Sequence, residues 1–389
     1  MAWVPESQLT ERFEHMCHVL KQVRPHWKLG ASYDGWVAAQ HREQPRLLTL
    51  VKHKLRQHMQ ALPVAPGRWH AFAVDGTQLA CPRVEKNQVA MGDVGKPDGI
   101  PQVSLTCLLH LSTRLPWDFR VGPGTDSERA HLRDMLDSLP PGSLLVADAG
   151  FIGYDLASEL MTRQQAFLFR VGGNMHLLGS LGYAYEIAGQ TVYLWPVEQQ
   201  QRNQPPLELR LTVVQDENKQ PVYLLTNVLE TAKLTDEEAD GYYRERWVIE
   251  VAYRTFKQIW DCAVLRSRTP ENCYLELTWR LTGLWMLQLI TAREIAATKG
   301  DVRRASAAQA RKCVQRVLRG QASTPRKRCS LRESLSCCQM DRYVRRRSKA
   351  SRNYPRKKQH QPPQPPKIKM PTDAQVHKAQ ALTPQRLRN

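Results

Sequence analysis

Two apolar runs, each stopping at an aspartate beside a glycine turn, place the tightest constraint on how this chain can fold. Trp69-His70-Ala71-Phe72-Ala73-Val74-Asp75-Gly76-Thr77 is the first, and Ser143-Leu144-Leu145-Val146-Ala147-Asp148-Ala149-Gly150-Phe151 repeats its plan. Runs of this kind suit short strands buried on both faces. In open α/β sheets, chemistry collects at the carboxyl ends of such strands. Aspartate beside glycine is also an ordinary turn former. A single run of this kind would be read as a turn; two of them shift the reading toward a shared site.

The neighbouring elements extend the pattern. Val103 to Leu111 and Leu115 to Val121 read as strands, reached through the turn-rich residues Gly92 to Gly99. That turn holds G-x-x-G-K without the spacing of a phosphate-binding loop. Asp126-Ser127 opens a helix through Leu139, the second aspartate strand covers 143–148, a helix covers 154–164 and a strand covers 166–171. The order is therefore βββαβα. Thr191 to Val197, Leu207 to Gln215 and Val222 to Val228 are further strand-like runs punctuated by Gly and Pro. Trp195 in the first of them is either a core residue or a platform for a displaced base, since base–aromatic stacking contributes about 1–3 kcal/mol.

A third carboxylate comes from a helix. Thr235-Asp-Glu-Glu238 reads as a helix start, and the helix pattern continues to about Gln258. Within it Tyr243, Arg246, Glu250 and Lys257 are spaced 3, 4 and 7 apart, which returns each to nearly the same azimuth. Val248, Ala252, Phe256 and Ile259 fall on the opposite side as an expected core stripe. Taken alone, the polar row is an ordinary solvated face with a commonplace Arg246–Glu250 pair. With Asp75 and Asp148 it completes a set of three carboxylates from separate elements. Such a set suits hard divalent cations, and two ions about 3.5–4 Å apart can clamp the attacking and leaving oxygens of a phosphoryl transfer.

These residues resemble the DDE transposases of bacterial insertion sequences, in the group marked by Y-x2-R-x3-E-x6-K (the insertion-sequence-four family). Asp75 in VDGT resembles the first catalytic aspartate, Asp148 in ADAGF the second, and Glu250 the signature glutamate. Ala252 to Lys257 resembles the family's aromatic-Arg-x-x-Lys run, and Arg170-Val171 matches its pattern after the second aspartate. The resemblance covers roughly residues 69 to 295. It implies an α/β, ribonuclease-H-like catalytic core in which the first and fourth strands are neighbours. Asp75, Asp148 and Glu250 would be catalytic and would hold two magnesium ions, with manganese able to substitute. Tyr243, Arg246 and Lys257 would contact DNA near the cut. The implied activity is cleavage at element ends and strand transfer into target DNA. The implied partners are double-stranded DNA (terminal inverted repeats and target) and a second copy of the chain on that DNA.

Composition divides the chain. Residues 301–389 carry 24 Lys and Arg against four acids, a net +20 that leaves −1 for the first 300 residues. Basic blocks at Arg326–Arg328, Arg345–Arg347 and Arg356–Lys358 and the proline-rich Gln361–Pro366 read as a tail without fixed structure. A polyanion is its leading partner; a protein-binding arm and a merely solvated tail are the other readings. Nine scattered cysteines without a C-x-x-C pair fit reduced thiols in a cytoplasmic protein. The opening residues are quickly polar, unlike a signal peptide, and no run reaches the ~18 uncharged apolar residues of a membrane span. The expected site is the bacterial cytoplasm, at the nucleoid.

The organisation expected is a helical region over 1–66, a first part of the core over 67–171, a β-rich insertion over 172–232, a helical completion over 233–300 and the basic tail over 301–389. The N-terminal region is either a DNA-end-recognition unit or a helical cap. Its second periodic stretch, Arg46 to Met59, is expected to expose Lys52, Lys54 and Arg56. Two alternative functions remain at this stage: a transposon-derived DNA-binding protein without catalysis, and a metal-dependent nuclease of the same fold.

Overall fold

The structure is a computed structural model, and it describes residues 1–4, 6–28, 30, 32–64, 67–92, 99–182, 191–216, 219–320, 329–340 and 364–383. Helices α1 (Leu9–Val23) and α2 (Tyr33–Gln60) precede strand β1 (Ala71–Ala80) and helix α3 (Glu85–Met91). Then come β2 (Gln102–His110), β3 (Leu115–Pro123), α4 (Glu128–Arg133), β4 (Leu144–Ala147), α5 (Tyr154–Thr162) and β5 (Ala166–Val171). Residues 172–232 supply β6 (His176–Leu178), β7 (Thr191–Leu194), α6 (Val197–Gln201), β8 (Leu207–Gln215) and β9 (Pro221–Thr226). Helices α7 (Asp236–Glu245), α8 (Trp247–Ile259), α9 (Pro270–Ala297), α10 (Ala307–Leu318) and α11 (Leu331–Ser336) follow, and β10 (Lys367–Lys369) and α12 (Asp373–Leu382) come last.

The strands form one mixed sheet in the order β10-β6-β7-β8-β9-β5-β4-β1-β2-β3. Its β3-β2-β1-β4-β5 half, with β1, β4 and β5 mutually parallel, is the arrangement expected of a ribonuclease-H-like core. The apolar runs explain why. Ala71 to Val74 and Leu144 to Ala147 are fully buried, as strands in the middle of a covered sheet must be. The strands of residues 172–232 extend the sheet rather than forming a separate one, because β9 pairs antiparallel with β5 and β8 with β9.

The chain divides into two compact units interleaved along the sequence. One comprises Met1–Gly67, Gly76–Leu136 and Val248–Arg342. Its centre is α9, where Leu277, Leu281, Trp285, Leu289 and Ile295 are buried. Thr269 caps this helix and Pro270 opens it, a favourable pairing at a helix start. The other unit comprises Arg68–Asp75, Asp137–Trp247 and Tyr343–Asn389. Its core is β4, β5 and β9, with Phe167 and Phe169 stacked at 4.8 Å. Among the described residues no helix is long and apolar enough to cross a membrane.

Several local expectations are corrected. Lys52 is buried, not exposed: its Nζ donates to Asp118 Oδ1 at 2.7 Å and to the Phe119 carbonyl at 2.8 Å. Arg56 is only part-exposed, and Lys54 alone lies in solvent. Trp195 is a core residue, 3 % exposed, whose indole donates to the Gln204 carbonyl, so it is not a stacking platform. The tail carries more structure than its composition suggests. Helices α10 and α11 are formed, and β10 adds to the edge of β6 in parallel, with Lys367 N–H donating to Met175 O and Gly179 N–H to Lys369 O. An unpaired sheet edge offers these backbone groups to any segment that can reach them. Gly173 permits the approach, because a Cβ there would lie 2.7 Å from Gln364 Cβ. The three basic blocks, and most of the 92–99 turn, lie outside the described residues.

Candidate functional site

The two aspartates occupy matching places on adjacent strands. The parallel register pairs Ala71 with Leu144 and ends at Val74 with Ala147, so Asp75 and Asp148 are the next residue on each strand. Neighbouring strands run about 4.7–4.9 Å apart, so the backbones of the two residues leave the paired segment close together. They differ in one respect from expectation. Asp148 follows the last residue of β4, but β1 runs on through Asp75 to Ala80. Asp75 therefore sits mid-strand, at the point where the parallel pairing stops.

Asp148 organises its surroundings. Its Oδ1 accepts the Ala149 N–H at 2.8 Å, which folds the turn, and its carboxylate lies 3.6 Å from the Arg170 guanidinium on β5. Arg170 also hydrogen-bonds the phenol of Tyr243. That phenol holds its proton more tightly than an ordinary tyrosine, first because it is buried and second because the Asp148 charge is near; Arg246 and Arg170 oppose the shift. Arg246 stacks over the Tyr243 ring at 5.4 Å and is itself buried. Tyr243 is delivered by α7, which Thr235 and Glu238 start with a reciprocal capping box.

Glu250 and Lys257 lie on α8. A single helix from Thr235 to Gln258 is not what forms: it breaks at Arg246, so Tyr243 belongs to α7 and Glu250 and Lys257 to α8. The core stripe of α8 is also displaced by one position. Ile249, Tyr253 and Phe256, continued by Trp260, are buried, whereas Val248, Ala252 and Ile259 are only part-buried. Both sets are apolar, and the set with the larger side chains removes more area from water. Glu250 and Lys257 are part-buried, and burial makes the Lys257 ammonium easier to deprotonate than usual. The chain just past α8 is tied to the far end of β1, where Ala80 exchanges hydrogen bonds with Ala263 and Leu265.

Glu128, which the sequence did not single out, packs against Gly76. A Cβ at Gly76 would fall 1.8 Å from Glu128 Oε1, so only glycine leaves the carboxylate its present place. Burial keeps that carboxyl protonated to higher pH than usual, with His131 opposing. Glu128 is simply the first residue of α4, and nothing in the local sequence marks it.

Asp75 and Asp148, following paired residues on adjacent strands, carry oxygen donors of the kind a hard divalent cation takes. Among the described residues, however, no group of three or more His, Cys, Asp and Glu is placed to hold a metal ion.

Comparison with known proteins adds independent findings. The family profile described as Transposase DDE domain matches residues 70–286. The chain is similar to the transposase InsG for insertion sequence element IS4 of Escherichia coli (strain K12), 26 % identical over 221 residues, or 53 % of this chain and 48 % of that protein. The match thus spans about half the length of that relative. Among solved structures, a piggyBac transposase synaptic complex with hairpin DNA aligns over 75 % of this chain and 61 % of that one, with 14 % identity and a TM-score of 0.43. A pre-cleavage Mos1 transpososome aligns over 41 % and 54 % respectively, with 10 % identity and a TM-score of 0.18.

Proposed function

The chain belongs to the Transposase DDE domain family, and on that premise we propose that it cuts DNA at the ends of a mobile element and joins them to target DNA. The observation that carries the proposal is the matched register of Asp75 and Asp148 on adjacent parallel strands. We assign Asp75, Asp148 and Glu250 as ligands of divalent cations, magnesium by preference; Glu250 takes its place from the signature. When bound, such cations stabilise charge on the attacking and leaving oxygens of a phosphodiester.

The chain's own residues have distinct tasks. Arg246 supplies a guanidinium that stays charged at any working pH and suits a phosphate. Tyr243, held protonated by burial, is a hydrogen-bond donor at neutral pH, directed by Arg170 and by the cation on its face. Lys257 offers a second positive charge on the Glu250 row. Arg170 holds the Asp148 carboxylate in place without burying it. Joining two ends at one target needs two such sites, so two copies on DNA are part of the proposal.

The test uses duplex DNA bearing the inverted repeats that flank the coding region, with magnesium. Cleavage and strand-transfer products are expected, and Asp75→Ala or Asp148→Ala should abolish both while retaining DNA binding. Hydrolysis without joining would mark a nuclease, and binding without cleavage a DNA-binding derivative. Undiminished cutting by both variants would refute the residue assignment.

A further inference from the structure

The outer side of α8 is not part of the assigned site, yet it borders a groove of about 410 Å³ between α8, the β2–β3 turn and the start of α10. Its lining includes the apolar side chains of Val248, Val251, Ala252 and Met340. Its rim holds three guanidiniums, Arg114, Arg254 and Arg303, and no Asp or Glu lines it among the described residues. Arg303 is kept in position by Asp301, whose carboxylate it meets at 3.2 and 3.3 Å. Arg254 and Gln258 are exposed, as is Val251. The first turn of α10, at Ala307 and Ala308, opens into the same groove and adds the positive end of a twelve-residue helix.

Helical geometry relates this groove to Glu250. At about 100° per residue, Lys257 lies close to the Glu250 azimuth, the buried positions Ile249, Tyr253 and Phe256 lie to one side, and Val251, Thr255 and Gln258 lie to the other. Arg254 falls between the Glu250–Lys257 row and the groove. A strand of phosphates leaving that row would meet Arg254 first and then the groove rim.

We propose that this groove seats the sugar–phosphate backbone of the DNA duplex flanking the reacting phosphodiester, with Arg114, Arg254 and Arg303 on phosphates and the apolar lining residues against deoxyribose. The inference rests on the DNA-processing reading above. Charge complementarity selects the occupant: three guanidiniums against the nearby carboxylate of Asp301 leave an excess of positive charge that suits a polyanion, and their number suits a continuous backbone rather than a single anion.

The experiment measures binding of the full chain to a fluorescent duplex as a function of salt. Each lost phosphate contact reduces the slope of log K against log salt by roughly 0.9. Arg114→Gln combined with Arg254→Gln should flatten the slope by about 1.8 and weaken binding about sixtyfold near 0.1 M salt. Arg254→Lys should keep the wild-type slope, and Gln258→Glu, an exposed change that leaves the fold alone, should weaken binding by repulsion. An unchanged slope in the double variant, with Gln258→Glu also silent, overturns the proposal while leaving the catalytic reading intact if the wild type still cuts. A wild-type chain that binds no duplex overturns both. Loss of binding to an acidic peptide with duplex binding unchanged would make the groove a protein contact and overturn the proposal.

Discussion

Asp118 lies on a strand and Asp148 just past the end of one; both face arginine, and they do opposite work. Asp118 on β3 is 6 % exposed and enclosed by Lys52 at 2.7 Å, Arg120 at 3.1 Å and Arg56 at 3.5 Å. Asp148 is 42 % exposed and pairs with Arg170 at 3.6 Å, its one ion-pair partner among the described residues. Burial decides the difference. Desolvation makes the Lys52 ammonium easier to deprotonate, and Asp118 only partly offsets that. For Asp118 desolvation pushes the other way, but Lys52 and Arg120 outweigh it and hold the carboxyl below its ordinary value. A carboxylate saturated by buried cations is committed to the fold, whereas one left half in solvent beside a single arginine can still accept a ligand.

The largest effect should come from exchanging the two roles. Asp118→Asn leaves Lys52 buried without its counter-charge and should cost about 3–5 kcal/mol of stability. Asp148→Asn should change stability by only about 0–1 kcal/mol while removing DNA cleavage. Urea unfolding of both variants checks this, and equal losses would erase the distinction.

A smaller effect should appear with pH. The folded-state pKa of Asp118 is depressed, so its stabilisation is fully present above the ordinary carboxylate value near 3.8 and is lost as pH falls through the lower folded value. The stability gap between wild type and Asp118→Asn should therefore be constant at neutral pH and narrow only in strong acid. Closure of the gap between pH 5 and 7 would contradict the assignment. The smallest change expected is at Gly76→Ala, about 1 kcal/mol, because the intruding Cβ meets the flexible end of Glu128. Removing that side chain in Gly76→Ala/Glu128→Ala should recover most of the loss, and a double-mutant cycle without coupling would mean the two do not interact.

Much of the core could be read from local pattern. The strands β5 (Ala166–Val171) and β8 (Leu207–Gln215) have the limits their apolar runs predict, and Thr235–Glu238 starts a helix through the capping box its spelling suggests. The errors share a cause. Lys52 lies on a helix whose periodicity looks solvated, but Asp118, 66 residues away in sequence, draws it inside. Val248 and Ile249 are equally apolar neighbours, and only the packing of α8 chose Ile249. β10 is a short lysine-flanked stretch with no strand signal of its own, formed because β6 offered an open edge.

By itself, the order of residues determined much of the alternation of strands and helices, the turn after Asp148, and the four-residue signature, because period, capping and turn chemistry act over a few residues. Tertiary structure alone decided which charges are buried, which apolar face of α8 turns inward, and that Asp75 and Asp148 share a register. Each of those depends on contacts between segments distant in the chain, and desolvation acts on a side chain only once such partners have closed over it.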